Sequence, residues 1–134
     1  MIVKQISVFL ENKPGQLAEC IRILGEHTID LQAMSIAEAQ DYGLLRIIVD
    51  RPEDAVKVLR AGDWVCTMTE VLAVTVPDEP GSLMKIASVL ADNAISLVYS
   101  YAFLSKVHGN ACIILRVENN EQASDLLNAA GILC

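Results

Sequence analysis

Apolar and polar positions change their period several times along the chain, and each change predicts an element. Residues 2–10 alternate through Ile6, Ser7, Val8, Phe9 and Leu10, a period of two that predicts a strand, and residues 71–76 predict another. Pro14-Gly15 and Pro80-Gly81 follow as turns that deliver the chain into helices. There the period lengthens. Leu17, Cys20, Ile21 and Leu24 stand at i, i+3, i+4 and i+7, and Leu83, Ile86, Ala87 and Leu90 repeat the stripe. Both stripes are expected to face a core. Residues 28–38 and 94–104 read as second strands. Tyr42-Gly43 and His108-Gly109 read as hairpin turns leading to third strands at 44–49 and 111–117. Second helices follow, one with Ala55, Val56 and Leu59 apolar, the other with Ala123, Leu126, Leu127 and Ala130. Gly62 and Gly131 stand where those helices are expected to end. Residues 64–70 add a fourth strand to the first series.

The series is a repeat. A shift of 66 positions lays residues 6–49 over 72–115 without a gap. Identities fall at Val8/Val74, Pro14/Pro80, Gly15/Gly81, Leu17/Leu83, Leu24/Leu90, Ile29/Ile95, Leu31/Leu97, Gly43/Gly109, Ile47/Ile113 and Ile48/Ile114. After this block a slip of two residues brings Pro52-Glu53-Asp54-Ala55 over Asn120-Glu121-Gln122-Ala123. The order is β-α-β-β-α-β, the ferredoxin-like split unit. The expected fold class is α+β, with two tandem ferredoxin-like units at 1–70 and 71–134, each an antiparallel sheet with helices on one face. The second copy runs out at Ile132-Leu133-Cys134, so its last strand is missing or a stub. One sheet edge is then left for the other unit or a neighbouring chain to cover. Units this small are marginal alone, which points to a shared interface.

Composition narrows the function. Hydrophobic residues make up 53% and charged residues 20%, as in a packed domain. The net charge of −7, without any basic run, argues against a nucleic-acid partner, and an anionic membrane surface would repel the chain. No apolar run approaches the roughly 18 residues of a membrane span, and residues 1–15 lack the features of a signal peptide. Cys20, Cys66, Cys112 and Cys134 are scattered without a C-x-x-C pair, which fits a reduced, cytoplasmic protein without structural zinc. Cys20 reads as a small buried hydrophobe on a helix face.

Ferredoxin-like units host several chemistries, and the residues here fit few of them. Val8, Leu10 and Ile48 stand where an RNA-binding version would present aromatics. Glu11-Asn12-Lys13-Pro14 offers neither the thiol pair of a metal carrier nor the arginine of a phosphate-holding loop. No nucleotide-binding or hydrolase motif occurs. His27 ends a helix, where a cation complements the dipole, His108 lies in a turn, and Glu53-Asp54 open a helix. No catalytic residue, metal ligand or cofactor is expected, and a small enzyme is the least favoured reading.

The loops that both copies keep carry a resemblance. Glu11-Asn12-Lys13-Pro14-Gly15-Gln16-Leu17 and Pro77-Asp78-Glu79-Pro80-Gly81-Ser82-Leu83 match the Asn/Asp-x-Pro-Gly-x-Leu turn of the ACT domain. That domain is the amino-acid-sensing regulatory module attached to aspartate kinase, phosphoglycerate dehydrogenase and the acetolactate synthase regulatory subunit. Thr28-Ile29-Asp30-Leu31 and Ala94-Ile95-Ser96-Leu97 match its approach to the second strand, and Val49-Asp50-Arg51-Pro52-Glu53-Asp54-Ala55 resembles its third-strand exit. The resemblance covers nearly the whole chain and fails at the absent last strand. It implies a ligand held between this loop of one unit and the start of the second strand of its neighbour. Carried over by position, it names Asn12, Pro14, Gly15, Gln16, Leu17, Ile29, Asp30 and Leu31 in the first copy. In the second copy it names Asp78, Pro80, Gly81, Ser82, Leu83, Ile95, Ser96 and Leu97.

The chemistry of such a site is simple. Free N–H groups at a helix start can receive a carboxylate, Gly15 and Gly81 let a ligand approach the backbone, and Asn12 and Asp78 offer acceptors to an ammonium group. The plainer reading makes Asn12 and Asp78 helix caps and Leu17, Leu31, Leu83 and Leu97 core. The copies differ at Lys13/Glu79 and Asp30/Ser96, and Asp78, Ser82 and Ser96 favour the second as the binding copy. The expectation is a non-catalytic regulatory protein that binds a small amino acid, assembles as a homodimer and serves an amino-acid metabolic enzyme. The alternative is an obligate regulatory subunit or interaction module of a biosynthetic enzyme, with no ligand of its own. Neither nucleic acid nor membrane is expected as a partner.

Overall fold

The computed structural model describes residues 1–38, 41–104 and 108–132. Its elements run β1 (Ile2–Glu11), α1 (Gln16–Glu26), β2 (Leu31–Glu38), β3 (Tyr42–Val49), α2 (Pro52–Ala61) and β4 (Cys66–Pro77), followed by α3 (Ser82–Asp92), β5 (Tyr99–Ala102), β6 (Asn110–Arg116) and α4 (Asn120–Ala129). The chain forms two compact units, Lys4–Thr69 and a second made of Met1–Val3 with Glu70–Cys134. The boundaries fall inside β1 and inside β4. What the sequence pattern reads as two successive strands, at 64–70 and 71–76, is the single strand β4.

In the first unit the strands are ordered β2-β3-β1-β4, all antiparallel neighbours where their registers are given. Ile6, Val8 and Leu10 point to one face, as a period of two requires. There they meet Leu45, Ile47 and Val49 of β3, Cys20 and Leu24 of α1, and Ala55, Val56 and Leu59 of α2. The Phe9 amide donates to the Val65 carbonyl at 3.0 Å, at the approach to β4. In the second unit the order is β1-β4-β6-β5, and Leu72, Val74 and Val76 pack with Leu115, Val117, Ile86, Leu90, Ala123 and Leu127. On the side of β4 away from β6, the residue before β1 pairs with it: Met1 N donates to Ala73 O at 3.1 Å and Ala73 N donates to Met1 O at 2.8 Å. Leu133 and Cys134 lie outside the described residues.

All four helices end the same way. The residues after the C-caps, Thr28, Asp63, Ala94 and Gly131, have positive φ, and the chain then returns two hydrogen bonds to the last turn, the Schellman pattern. In α1 these are Thr28 N to Gly25 O at 3.0 Å and Ile29 N to Leu24 O at 3.0 Å. The second bond recurs as Trp64 N to Leu59 O, Ile95 N to Leu90 O and Ile132 N to Leu127 O. A leucine paired with a large apolar residue five positions on seals each end. Gly131 takes the left-handed position as expected, but Gly62 is one residue early: its φ is −92 and Asp63 makes the turn.

Four further expectations are corrected. Ile6 pairs with Ile47 in the first unit and Leu72 with Leu115 in the second, so Ile47 corresponds to Leu115. The two-residue slip therefore lies before the third strand, and Gly43/Gly109, Ile47/Ile113 and Ile48/Ile114 are not equivalent positions. Tyr42 and Gly43 belong to β3, opposite Glu11 and Leu10, rather than to a turn; His108 and Gly109 do form one, both with positive φ. On α3, Leu83 is 60% exposed and Ala87 is exposed, and Ser82 is buried instead. Residues 94–98 precede a short β5 instead of joining it, and Leu104 lies beyond its end.

Candidate ligand site

Each unit opens a cavity at the same place, beside the N-terminus of its first helix. In the first unit Gly15 has φ +87 with no atom within 4 Å of where a Cβ would stand, and in the second Gly81 has φ +93 and the same open space. Only glycine takes that backbone without strain. The turn directs the chain into a helix whose first internal bond is Glu19 N to Gly15 O, or Lys85 N to Gly81 O. Neither helix receives a side-chain cap, so Asn12 and Asp78 do not cap them. Asp78 N instead donates to Gly109 O at 2.9 Å. The positive end of α1 is left facing the loop.

The first cavity, about 720 Å³, is walled by the end of β1, the loop, α1, the start of β3 and the residues that follow α2. Phe9 and Tyr42 stand side by side in it, ring centroids 5.5 Å apart and tilted by 52°. Glu11 pairs with Lys13 at 2.9 Å. Glu19 is hydrogen-bonded by Arg22, which holds its carboxyl below the usual carboxylate range. The second cavity is smaller, about 330 Å³. With the corrected register every residue that lines it corresponds to one in the first: Thr75 to Phe9, Ser82 to Gln16, Lys85 to Glu19, Asn110 to Tyr42, Ile132 to Trp64. The Ser82 hydroxyl is buried there without a hydrogen-bond partner.

The other end of each first helix is built differently. In the first unit the Arg51 guanidinium donates to the carbonyls of His27 at 2.7 Å and Thr28 at 2.9 Å, and Asp50 Oδ1 accepts from the Asp30 amide at 3.0 Å. A cation on the last carbonyls of α1 complements the helix dipole. In the second unit Asn119 caps α4 by accepting from Gln122 N. A cavity of about 740 Å³ there is lined by Ile95, Ser96, Glu118 and Asn120, among others. Asn120 donates to Glu70 O at 3.1 Å, and its own Oδ1 is buried without a partner.

The model of the ACT domain pair matches residues 1–131. The chain belongs to the ACT domain pair family. A comparison with curated proteins returned no match. Among solved structures, protein BT0572 from Bacteroides thetaiotaomicron is 32% identical, with a TM-score of 0.91 over 99% of this chain and 91% of that one. The ligand-free regulatory subunit of aspartate kinase from Thermus thermophilus is 13% identical, with a TM-score of 0.68 over 97% of each chain. The corresponding subunit from Thermus flavus has a TM-score of 0.63 at 13% identity, covering 98% of this chain and 95% of that one. These last two share the fold.

In this ACT pair the expected site residues divide by position. Asn12, Pro14 and Gly15 are exposed on the first loop, with Gln16 and Leu17 half-buried behind them; Leu17 packs against the core. Asp78, Pro80 and Gly81 are exposed on the second loop, Ser82 is buried and Leu83 exposed. Ile29 is buried, Asp30 exposed and Leu31 half-buried at the far end of α1. Ile95 is half-buried, and Ser96 and Leu97 are exposed beyond α3. Within one unit the eleven-residue helix separates loop from strand start by about 16 Å, so a single unit does not bring the two sets together. Sequence reasoning missed Phe9, Tyr42 and Trp64. Phe9 and Trp64 read alone as strand residues and Tyr42 as part of a turn, and nothing in their spacing along the chain links the three. Among the described residues, no group of three or more His, Cys, Asp or Glu side chains is placed to hold a metal ion, and no helix is long and apolar enough to cross a membrane.

Proposed function

We propose that this ACT pair is a non-catalytic regulatory protein of the cytoplasm that binds a small amino acid and relays the bound state to an enzyme of amino-acid metabolism. The observation that carries the reading is the uncapped helix start behind Gly15 and Gly81, built twice with the same left-handed glycine and bordering a cavity each time. Such a turn supplies N–H donors for a carboxylate, and Asn12 or Asp78 gives an acceptor for the amine. The loop of one unit would act with the strand start of a neighbouring unit, through Ile29, Asp30 and Leu31 or Ile95, Ser96 and Leu97. A homodimer would supply such neighbours, and β2 and β5 are the outer strands of their units. The likeness to regulatory subunits of aspartate kinase supports an enzyme partner.

A thermal-shift screen against the twenty L-amino acids tests the reading. A ligand at a hundred times its dissociation constant adds about 2.7 kcal/mol, several degrees for a chain of this size. A single hit that is lost in Gly81→Val or Gly15→Val supports it. A flat screen on a folded sample removes the ligand and favours the second reading, an interaction subunit. Exposed Leu83, Met84, Leu97, Val98 and Leu104 on the second unit give that reading its surface.

A further inference from the structure

The two corresponding cavities differ in the chemistry of their walls more than the fold requires. In the first unit Phe9, Tyr42 and Trp64, half of the aromatic residues in the chain, line one cavity. Phe9 and Tyr42 are 38% and 42% exposed, stand outside the core cluster and pack on each other, so part of each ring stays open to the cavity, while Trp64 packs against the core from one side. The same wall carries Asp41 and Asp63, whose carboxylates make no ion pair among the described residues, in addition to the paired Glu11 and Glu19. In the second unit each of these side chains is replaced: threonine, asparagine and isoleucine stand for the aromatics, Lys85 for Glu19 and Gly131 for Asp63. The backbone is built in both places, so folding alone does not demand the aromatic and acidic set.

We propose that the cavity of the first unit binds a small organic cation, an ammonium or guanidinium group on a short apolar stem, and that its counterpart in the second unit does not. Aromatic faces attract such a cation through their quadrupoles, and the excess of carboxylates adds a field of the matching sign. The volume of about 720 Å³ is in the range of small-molecule sites. The proposal deepens the amino-acid reading, because Asn12 and Gln16 of the first loop form one wall of this cavity. It differs in that recognition rests on the cationic group and not on a carboxylate.

Trp64 is the chain's single tryptophan, so its fluorescence reports this cavity directly. The full chain is titrated with L-arginine, with agmatine, which keeps the guanidinium and lacks the carboxylate, and with L-citrulline, the neutral isostere; L-lysine and cadaverine form a second set. The expected result is a saturable change with arginine and agmatine, or with lysine and cadaverine, and binding weaker by about tenfold or more for citrulline. Tyr42→Ala, Asp41→Asn and Asp63→Asn should each weaken the cation by about tenfold at unchanged melting temperature, and added salt should weaken it further. Asparagine suits the left-handed backbone at position 63, so that variant is expected to stay folded. Equal binding of arginine and citrulline, or binding that persists in both aspartate variants, overturns the proposal while leaving the amino-acid reading in place. Agmatine or cadaverine binding alongside a flat screen of all twenty L-amino acids supports the proposal and overturns that reading. The absence of any saturable response to all four cations overturns the proposal.

Discussion

Met1 and Ala73 exchange both of their main-chain hydrogen bonds, N to O in each direction, at 3.1 and 2.8 Å. An exchange of this kind is the hydrogen-bonded pair of an antiparallel ladder. It gives β4 a main-chain partner at Ala73 on the side away from β6. Deletion of residues 1–3 should therefore leave the Ala73 amide unpaired and cost about 1–3 kcal/mol. In native-state hydrogen exchange the amide of Ala73 should lose its protection, while that of Ile47 keeps it. Unchanged protection at Ala73 would mean that another group covers the edge.

Gly15 and Gly25 make a matched pair with opposite expectations. Neither has any atom within 4 Å of a built Cβ, so sterics are equal, but Gly15 has φ +87 and Gly25 lies inside α1. Gly15→Ala should cost about 1–2 kcal/mol through the left-handed backbone. Gly25→Ala should gain about 0.5–1 kcal/mol from helix propensity. Thermal denaturation of the two variants should move in opposite directions.

Cys20 is fully buried beside Cys66, and burial pushes its thiol up to about 11 from an ordinary value of 9.0. Because the folded value is the higher one, the contribution is whole below about pH 9 and is lost as pH rises toward 11. The loss should be on the order of 2 kcal/mol. Urea denaturation at pH 8 and pH 10.5 measures it, and Cys20→Ala should show a shallower alkaline decline than the parent chain.

Leu24 and Leu83 come from the two apolar stripes that look alike in the sequence. Leu24 is wholly buried and closes the Schellman end of α1, whereas Leu83 is 60% exposed. Leu24→Ala should cost about 2–5 kcal/mol, and Leu83→Ala should stay within about 0.5 kcal/mol. Equilibrium unfolding that ranked them equally would contradict this packing.

These contrasts show what the pattern of residues could and could not carry. The repeat, the alternation of strands and helices and the Pro-Gly turns were legible because they rest on spacing along the chain, although the strands read at 64–70 and 71–76 are one. The position of the two-residue slip was not. A shift of two leaves every strand side chain on its original face, so Ile47 over Ile113 and Ile47 over Leu115 look equally good in sequence. Cys20 and Leu24 on α1 and their counterparts Ile86 and Leu90 on α3 are buried alike, whereas the burial of Ser82 and the exposure of Leu83 in the first turn of α3 are not distinguished by local spacing. The cavity of Phe9, Tyr42 and Trp64 depends on three strand approaches distant in sequence, which the fold alone brings together.

The pairing of Met1 with Ala73 also sets an order of events during synthesis. The two residues are separated by 72 positions, a delay of several seconds at ~5–20 residues added per second. Through that delay residues 1–3 have no partner on the second unit's side, while residues 4–69 already hold their own core cluster. Residues 1–3 thus wait for a segment made later, and this pairing closes only once Ala73 has emerged.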